Sequence, residues 1–199
     1  MPMILHIILL VIFLSFACWY DGWWISPLTK EEGKVLYKAL SGKRVEDQAK
    51  SSVNPKSVEV FTNTDNGKQF YMLNLIKDKT KNQKNEDIGA FESIDKNYAK
   101  VVFPLLFRHA CHPVLVSKPL NTFSQPAIEE EWSAIFIIRY RSRRDLYKVV
   151  TNPAFQKAWK FKLSTIQSTT VIPSLPVLPG LNLKWILGLV LIFIGLIGT

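Results

Sequence analysis

The chain carries two long apolar runs, one near each end, with a charged stretch between them. The first run extends from Met3 to Tyr20 and has no charged side chain apart from a titratable histidine, and the second extends from Trp185 to Gly198. Because a helix rises ~1.5 Å per residue, the first run nearly crosses a hydrocarbon core of ~30 Å. The second run is shorter, and we expect Lys184 to snorkel so that the helix reaches the far headgroups. The pattern therefore predicts a transmembrane helix at each end.

Other interpretations of the two runs stay open. A cleaved signal peptide could begin this way, but no Lys or Arg precedes the first run and no A-x-A site follows it. The second run could be a core helix or a half-inserted anchor. Aromatic and basic side chains at the inner ends of both runs favour the water–lipid interface. We predict that role for Trp19, Tyr20, Trp23, Trp24, Lys184 and Trp185.

Between the runs, three capping signals predict helices. The segment SPLTKEEGKVLYKALSG opens on a capping box formed by Thr29 and Glu32. A second capping box, Ser142 with Asp145, opens another helix. The pair Asn152-Pro153 places a cap and a proline at the first turn of a third helix.

Alternating and helical patterns fill the rest of the middle. The segment VEVFTNTDNGKQFYMLNLIK predicts two strands joined by a turn at Asn66-Gly67. Residues 88–110 follow a helical period, which Pro104 should kink or split. Further strands are predicted in PVLVSKPL, EWSAIFIIRYRS and TTVIPSLPVLPG. The resulting order, β-α-β-β-α-β, is the ferredoxin-like split βαβ arrangement.

Charge narrows the possible partners. The 199 residues have a formal net charge of +9, all Lys and Arg lie between Lys30 and Lys184, and no acid follows Asp145. A basic stretch before an apolar tail favours anionic lipid headgroups, and no nucleic-acid-binding signature is present. The positive-inside rule places the middle of the chain in the cytoplasm. The two cysteines are isolated and predict no disulfide framework.

Three segments carry a family resemblance. FYMLNLIK, FPLLFRHACHPVL and EWSAIFIIRYRSRRDLYKVVTNPAFQKAW resemble, in order and spacing, the dimeric α/β-barrel superfamily, and in particular an uncharacterised bacterial branch of it. The resemblance covers residues 69–173. It implies two subunits whose sheets pair into one barrel, in a superfamily that includes cofactor-free monooxygenases and haem-degrading enzymes. The apolar runs and the lysine-rich loop depart from that pattern.

We therefore predict an α+β protein in which a ferredoxin-like domain is flanked by two transmembrane helices. Its parts are a transmembrane helix with its aromatic belt, a short amphipathic helix with a linker, the α/β-barrel domain, a proline linker and a second transmembrane helix. They cover residues 1–24, 25–55, 56–175, 176–183 and 184–199 respectively.

Candidate chemistry in the middle domain is sparse. Asn74 and Arg139 interrupt apolar strands, and with Tyr71 they could line a pocket that holds a small acid. Alternatively, Arg139 lies at a strand end and reaches water or an acid of the other subunit of a dimer. His109 and His112 are spaced so that they could share a metal, although no second ligand pair exists. We predict no catalytic residues, no bound metal and no cofactor.

The leading hypothesis is an integral membrane protein of the bacterial inner membrane whose domain is an interaction module without catalysis of its own. Its partners are the lipid bilayer and either a second copy or a larger membrane complex. The alternative is a membrane-tethered enzyme or binder of a small hydrophobic or aromatic molecule, similar to a monooxygenase or isomerase. For the dimer, one sheet face carries Ile135 and Ile137, beside either Leu73 and Leu75 or Met72 and Ile76.

Overall fold

A computed structural model describes residues 2–41, 53–78, 96–120, 132–177 and 182–198. Part of the predicted linker, at 42–52, and the beginning of the helix predicted at 88–110 lie outside the described residues. The described part contains seven helices and four strands. They are α1 (Pro2–Asp21), α2 (Lys30–Ser41), α3 (Pro55–Asn63), β1 (Phe70–Asp78), α4 (Lys96–Arg108), β2 (His112–Ser117), β3 (Ala134–Tyr140), α5 (Arg143–Val150), α6 (Pro153–Thr165), β4 (Ile166–Ser174) and α7 (Leu183–Ile197).

The four strands form one antiparallel sheet in the order β2-β3-β1-β4. The two central strands, β1 and β3, are not consecutive in the chain, and α4 and α6 each cross between strands. This is the strand order of the ferredoxin-like arrangement, so the predicted mixed α+β class and the β-α-β-β-α-β order are confirmed. Pro104 lies inside α4, which continues through it as one element.

The strand register decides which side chains share a face. Leu73 lies opposite Ile137, and Leu75 lies opposite Ile135. Since successive residues of a strand point to opposite faces, these four lie on one face, and Met72 lies on the other. We call the face that carries them the open face. Its remaining apolar members on the edge strands are Leu115 and Ile172.

The opposite face is covered by helices. Phe70 from β1 and Tyr140 from β3 stack with their ring centroids 5.2 Å apart. They belong to a buried cluster that also includes Leu106 of α4 and Leu146 of α5. Burial of this apolar surface is the main driving force for folding, and it fixes these helices against one face of the sheet.

The helix α3 corrects one prediction. VEVFTN alternates like a strand, yet residues Pro55–Asn63 are helical. The reason is local: the side chain of Asn54 accepts hydrogen bonds from the backbone N–H groups of Lys56 and Ser57, and Pro55 occupies the first turn. A cap and a proline at this position stabilise a helix start more than the alternation favours a strand.

The helix α2 forms with its predicted capping box and joins the helix layer. The N–H of Thr29 donates to the Glu32 carboxylate at 2.8 Å, and the N–H of Glu32 donates to Thr29 Oγ1 at 3.2 Å. Leu36 is fully buried in the domain core. Gly33 lies so close to Thr62 of α3 that a Cβ at this position would be 2.6 Å from the threonine methyl.

The two apolar helices pack against each other in antiparallel orientation. Asp21 at the end of α1 pairs with Lys184 at the start of α7, with Oδ2 and Nζ 2.7 Å apart. Further along, Gly188 and Gly195 of α7 face side chains of α1. Small residues at such a contact let helix backbones approach closely.

The two apolar helices, α1 and α7, differ in length. Among the described residues, the segment Met3–Asp21 is the one helix long and apolar enough to cross a membrane, a judgement from length and composition alone. The helix α7 has 15 residues, which is ~22 Å of helix. A transmembrane role for α7 therefore stays a proposal.

Candidate functional site at the junction of α1 and the sheet

Two arginines at the end of β3 hold the last turn of α1. Arg139 Nη2 donates to the carbonyl oxygen of Tyr20 at 3.1 Å, and Arg141 Nη1 donates to that of Trp19 at 2.8 Å. The last carbonyls of a helix have no partner within the helix and form the negative end of its dipole. The two guanidinium groups therefore satisfy and stabilise the end of α1. We call this contact the arginine junction.

Arg139 is completely buried, and its other two nitrogens also donate to neutral acceptors. Nη1 donates to the carbonyl oxygen of Ala110 and Nε to Gln69 Oε1, each at 2.8 Å. The guanidinium carbon lies 3.7 Å from the centroid of the Tyr20 ring. Burial lowers the pKa of Arg139, but a guanidinium in a protein stays protonated.

The carbonyl of Ala110 is itself at a helix end. The N–H of Ala110 donates to Phe107 and that of Cys111 donates to Leu106, a pattern that closes α4 as a Schellman motif. Ala110 adopts φ of 53° there, a position that glycine usually occupies. The Arg139 charge therefore lies between the C-terminal ends of α1 and α4, and both dipoles favour it.

Tyr20 completes the junction with its hydroxyl group. The hydroxyl lies 2.8 Å from Nε2 of His112, and the other ring nitrogen, Nδ1, lies 3.0 Å from the carbonyl oxygen of Pro113. A carbonyl can only accept, so Nδ1 carries the proton of the neutral ring and Nε2 accepts from the tyrosine. Burial lowers the pKa of His112; the Pro113 carbonyl opposes this effect, and the Arg139 charge adds to it.

Arg141 also forms a buried ion pair. Its Nε and Nη2 donate to the two carboxylate oxygens of Asp145, each at 2.8 Å. Ser142 Oγ donates to the same carboxylate at 2.7 Å, and His109 Nδ1 lies 3.4 Å from it. The hydrogen bond to Asp145 raises the pKa of Arg141. Burial lowers the pKa of His109, and the nearby Asp145 charge partly opposes that shift.

The next two arginines, Arg143 and Arg144, form hydrogen bonds with chain segments that come after α1. Arg143 donates through Nη1 to the Phe61 carbonyl and to Thr64 Oγ1 in the α3 region. Arg144 donates through Nε to the Ser26 carbonyl at 2.8 Å. All four arginines of RYRSRR thus bind backbone carbonyls of the N-terminal part of the chain, between residues 19 and 61.

The three predicted pocket residues do not lie on one face of the sheet. Tyr71 lies opposite Arg139 in the ladder, so those two share the open face. Asn74 is three residues from Tyr71 on the same strand and therefore points to the other face, where its side-chain amide donates to the Met72 carbonyl at 3.1 Å. The guanidinium of Arg139 faces the Tyr20 ring rather than an open cavity.

The two histidines whose spacing could have allowed a shared metal contact different groups. His109 lies beside Asp145, whereas His112 contacts Tyr20. Cys111 between them is buried, which raises the pKa of its thiol to about 12. Among the described residues, no three His, Cys, Asp or Glu side chains are grouped so that they could hold a metal ion.

The predicted interface residues divide into two groups. Trp19, Trp23, Trp24 and Trp185 are all exposed and Lys184 is half-buried, as an interface role allows, and that role stays a prediction. Tyr20 is the exception: only 1% of it is exposed, because its ring fills the arginine junction. Periodicity places this residue at the end of the apolar run, but the contact with a strand more than 100 residues away has no local signal.

Comparison with known proteins supports the fold. A scan against protein-family models finds no match, and a search of curated proteins finds no relative. A protein of unknown function from Rhodopseudomonas palustris aligns with 64% of this chain and 97% of its own length, with a TM-score of 0.54 and 19% identity. A dimeric protein of unknown function and ferredoxin-like fold from Bacteroides fragilis aligns with 54% of this chain and 96% of its own length, with a TM-score of 0.38 and 14% identity. At these identities, the likeness to the first protein shows a shared fold.

Proposed function

We propose that this protein is a membrane-anchored ferredoxin-like module that works by association with a protein partner and has no catalytic activity of its own. The arginine junction is the observation that carries the proposal. It joins an apolar helix to the sheet through backbone carbonyls, an aromatic ring and two buried guanidinium groups. These groups are what a fixed attachment of helix to domain requires.

The junction favours a retained anchor over a cleaved signal peptide. Tyr20 supplies a carbonyl, a ring face and a hydroxyl to the interior of the domain. Cleavage after this residue would remove the ring, the hydroxyl and the helix end that Arg139 and Arg141 cap. A buried cation that loses its partners is strongly destabilising.

The packing of α7 along α1 supports a two-helix anchor. Its contacts run from the Asp21–Lys184 ion pair to the close approach of Leu5 and Gly198, which covers most of α1. If α1 crosses the bilayer, α7 must lie at the same depth over that length. Both helices also carry large apolar side chains with more than half of their surface exposed, such as Ile8 and Leu189. Such apolar surfaces are stable in contact with lipid chains and unfavourable in contact with water.

The environment of Arg139 supports association over small-molecule binding. A binder of the predicted kind needs a free guanidinium that faces a cavity. Here the guanidinium is buried, the Tyr20 ring covers it, and each of its three nitrogens donates to a protein acceptor.

The open face is the surface that we assign to the partner. Both edge strands contain a proline, Pro113 in β2 and Pro173 in β4, and proline discourages pairing at strand edges. The face between them is apolar and partly exposed, with 46% of Leu115 and 44% of Ile172 accessible. Such a surface needs a cover. We propose a second copy of this chain, because a twofold contact requires only one self-complementary surface.

Alkaline carbonate extraction tests the anchor. We expect the full-length chain to remain in the membrane pellet, and its intact mass to include residues 1–24. Release of the full-length chain into the soluble fraction would contradict the integral anchor. A membrane-free chain that lacks these residues would instead support a signal peptide.

Protease treatment of intact spheroplasts tests the orientation. We propose that the domain is cytoplasmic. It should therefore resist protease added to intact spheroplasts and be digested only after the spheroplasts are lysed. Digestion before lysis would place the domain on the other side of the membrane.

A further inference from the structure

His112 lies where the anchor meets the sheet, and its surroundings suit only the neutral ring. Nδ1–H points at the Pro113 carbonyl and Nε2 accepts from the Tyr20 hydroxyl, which is nearly inaccessible to water. A second proton on the ring would turn Nε2 into a donor. The tyrosine hydroxyl, now an acceptor, would then have to find another partner for its own proton in a buried place.

A proton on His112 would also create a second cation beside Arg139. The two residues are opposite each other in the β2–β3 ladder, and both contact the ring of Tyr20. Like charges on directly opposed strand positions, both buried away from water, repel each other.

The charged and titratable groups around this cluster do not offset that repulsion. Asp21 of α1 is already paired with Lys184. On the sheet side, Tyr71 lies opposite Arg139, and Cys111 precedes the histidine with a thiol that burial keeps protonated. Asp145 lies beyond Cys111, where it is bound to Arg141 and His109. Among the described residues, none of these carboxylates contacts the His112 ring.

We propose that His112 is a pH-responsive latch: its neutral ring holds the last turn of α1 on the sheet, and its protonation releases that turn. The geometry of the junction carries this inference, which rests on the proposed attachment of α1. Release would free the domain to change its angle to the anchor, and with it the direction in which the open face points.

The direction of the pH effect follows from linkage. Burial lowers the pKa of His112 in the docked state, whereas in a released segment the pKa returns towards its ordinary value of ~6.5. Above ~6.5 the ring is neutral in both states and the docked state keeps its full stability. Below that value the released state binds the proton more strongly, so docking weakens as the pH falls towards the docked-state pKa.

Hydrogen–deuterium exchange of the full-length chain in detergent micelles tests the latch. Exchange in peptides that cover residues 19–24 and 108–114 is compared at pH 7.5 and pH 5.5, after correction for the intrinsic rate. We expect protection to fall by roughly three- to tenfold at the lower pH. Peptides from β1 should keep their protection.

Two variants test whether His112 is the residue that causes the pH response. The chain has only three histidines. His112→Gln, whose amide oxygen can accept from Tyr20 and which cannot titrate, should abolish the pH response. His109→Gln should retain it.

The outcomes separate this inference from the anchor proposal. Equal protection at both pH values, or a response that survives in His112→Gln, would overturn the latch. Absence of protection in residues 19–24 at pH 7.5 would instead overturn the attachment of α1.

Discussion

Substitution of Ile137 by aspartate tests the proposed dimer. Ile137 lies near the middle of the open face, between Leu73 on β1 and Leu115 on β2. It is only partly buried within one subunit, so the aspartate can be hydrated in a monomer and the subunit should still fold. In a face-to-face dimer the same position becomes enclosed, and the carboxylate would lose its water.

The size of the effect follows from twofold symmetry. Burial of an isoleucine side chain contributes about 1.5–3 kcal/mol. Because the substitution is present once in each subunit, the dimer loses this contribution twice. The loss is therefore ~4 kcal/mol before the cost of burying two like charges is added. That alone weakens Kd by about a thousandfold.

Sedimentation velocity in a density-matched detergent, over a dilution series, measures this change. The series is needed because two anchors in one membrane raise the effective concentration and can hide weakened association. Ile137→Val keeps the apolar character and should remain dimeric. Val60→Asp is the matched charge control, because Val60 is 54% exposed on α3, in the helix layer.

Two results would refute this reasoning. If Ile137→Asp remained as dimeric and as thermally stable as the parent chain, the open face would have to face solvent. If the parent chain were already monomeric at all concentrations, the cover of the open face would have to come from another partner.

Three further substitutions test the packing by thermal unfolding in detergent or by cross-linking. Gly33→Ala should destabilise the domain by about 1–3 kcal/mol, since its Cβ would lie 2.6 Å from Thr62. Addition of Thr62→Ala to this variant removes the two nearest atoms, the methyl and the hydroxyl of the threonine, and should recover part of the stability. An unchanged Tm in Gly33→Ala alone would contradict the close crossing. Gly188→Leu should separate α7 from α1, because even a Cβ at this position would lie 3.0 Å from Phe13. Disulfide cross-linking between engineered cysteines on the two helices should therefore fall, and undiminished cross-linking would argue against the pairing of the helices. Asp145→Asn removes the charge partner of a buried arginine and should cost about 3–5 kcal/mol; a Tm within a degree of the parent would show that the ion pair contributes little.

The sequence predicts most of the fold because its capping signals are local. Ser142 and Asn152 each begin a helix where the capping residues predict one. The same signal is present at Asn54-Pro55, but the β-branched alternation after it favours a strand, and the cap decides the outcome. Local capping therefore outweighs a short alternating pattern when the two disagree.

The candidate site is less accessible to sequence reasoning. Strand parity alone excludes a pocket shared by Asn74 and Tyr71, because residues three apart on a strand point to opposite faces. The partners of Arg139 are a different case. Its acceptors are backbone carbonyls at helix ends and one glutamine, and such acceptors leave no residue-type signature that a spacing rule could detect. A buried arginine is predictable, but its acceptors are not.

Removal of the anchor tests whether helix and domain form one folding unit. Arg139 has no carboxylate within hydrogen-bonding distance among the described residues, and its charge is stabilised by the Tyr20 carbonyl, the Tyr20 ring, the Ala110 carbonyl and Gln69 Oε1. A chain that begins at residue 25 keeps only the last two of these four. Loss of partners by a buried charge costs about 3–5 kcal/mol, a large part of the 5–15 kcal/mol that holds a typical domain together. We expect this shortened chain to melt far below the full-length protein when followed by circular dichroism, and Arg139→Met in the shortened chain to recover part of the loss by removing the orphaned charge. A shortened chain that melts at the parent temperature would mean that water replaces α1 at the junction without cost, and the anchor would then be a passive tether.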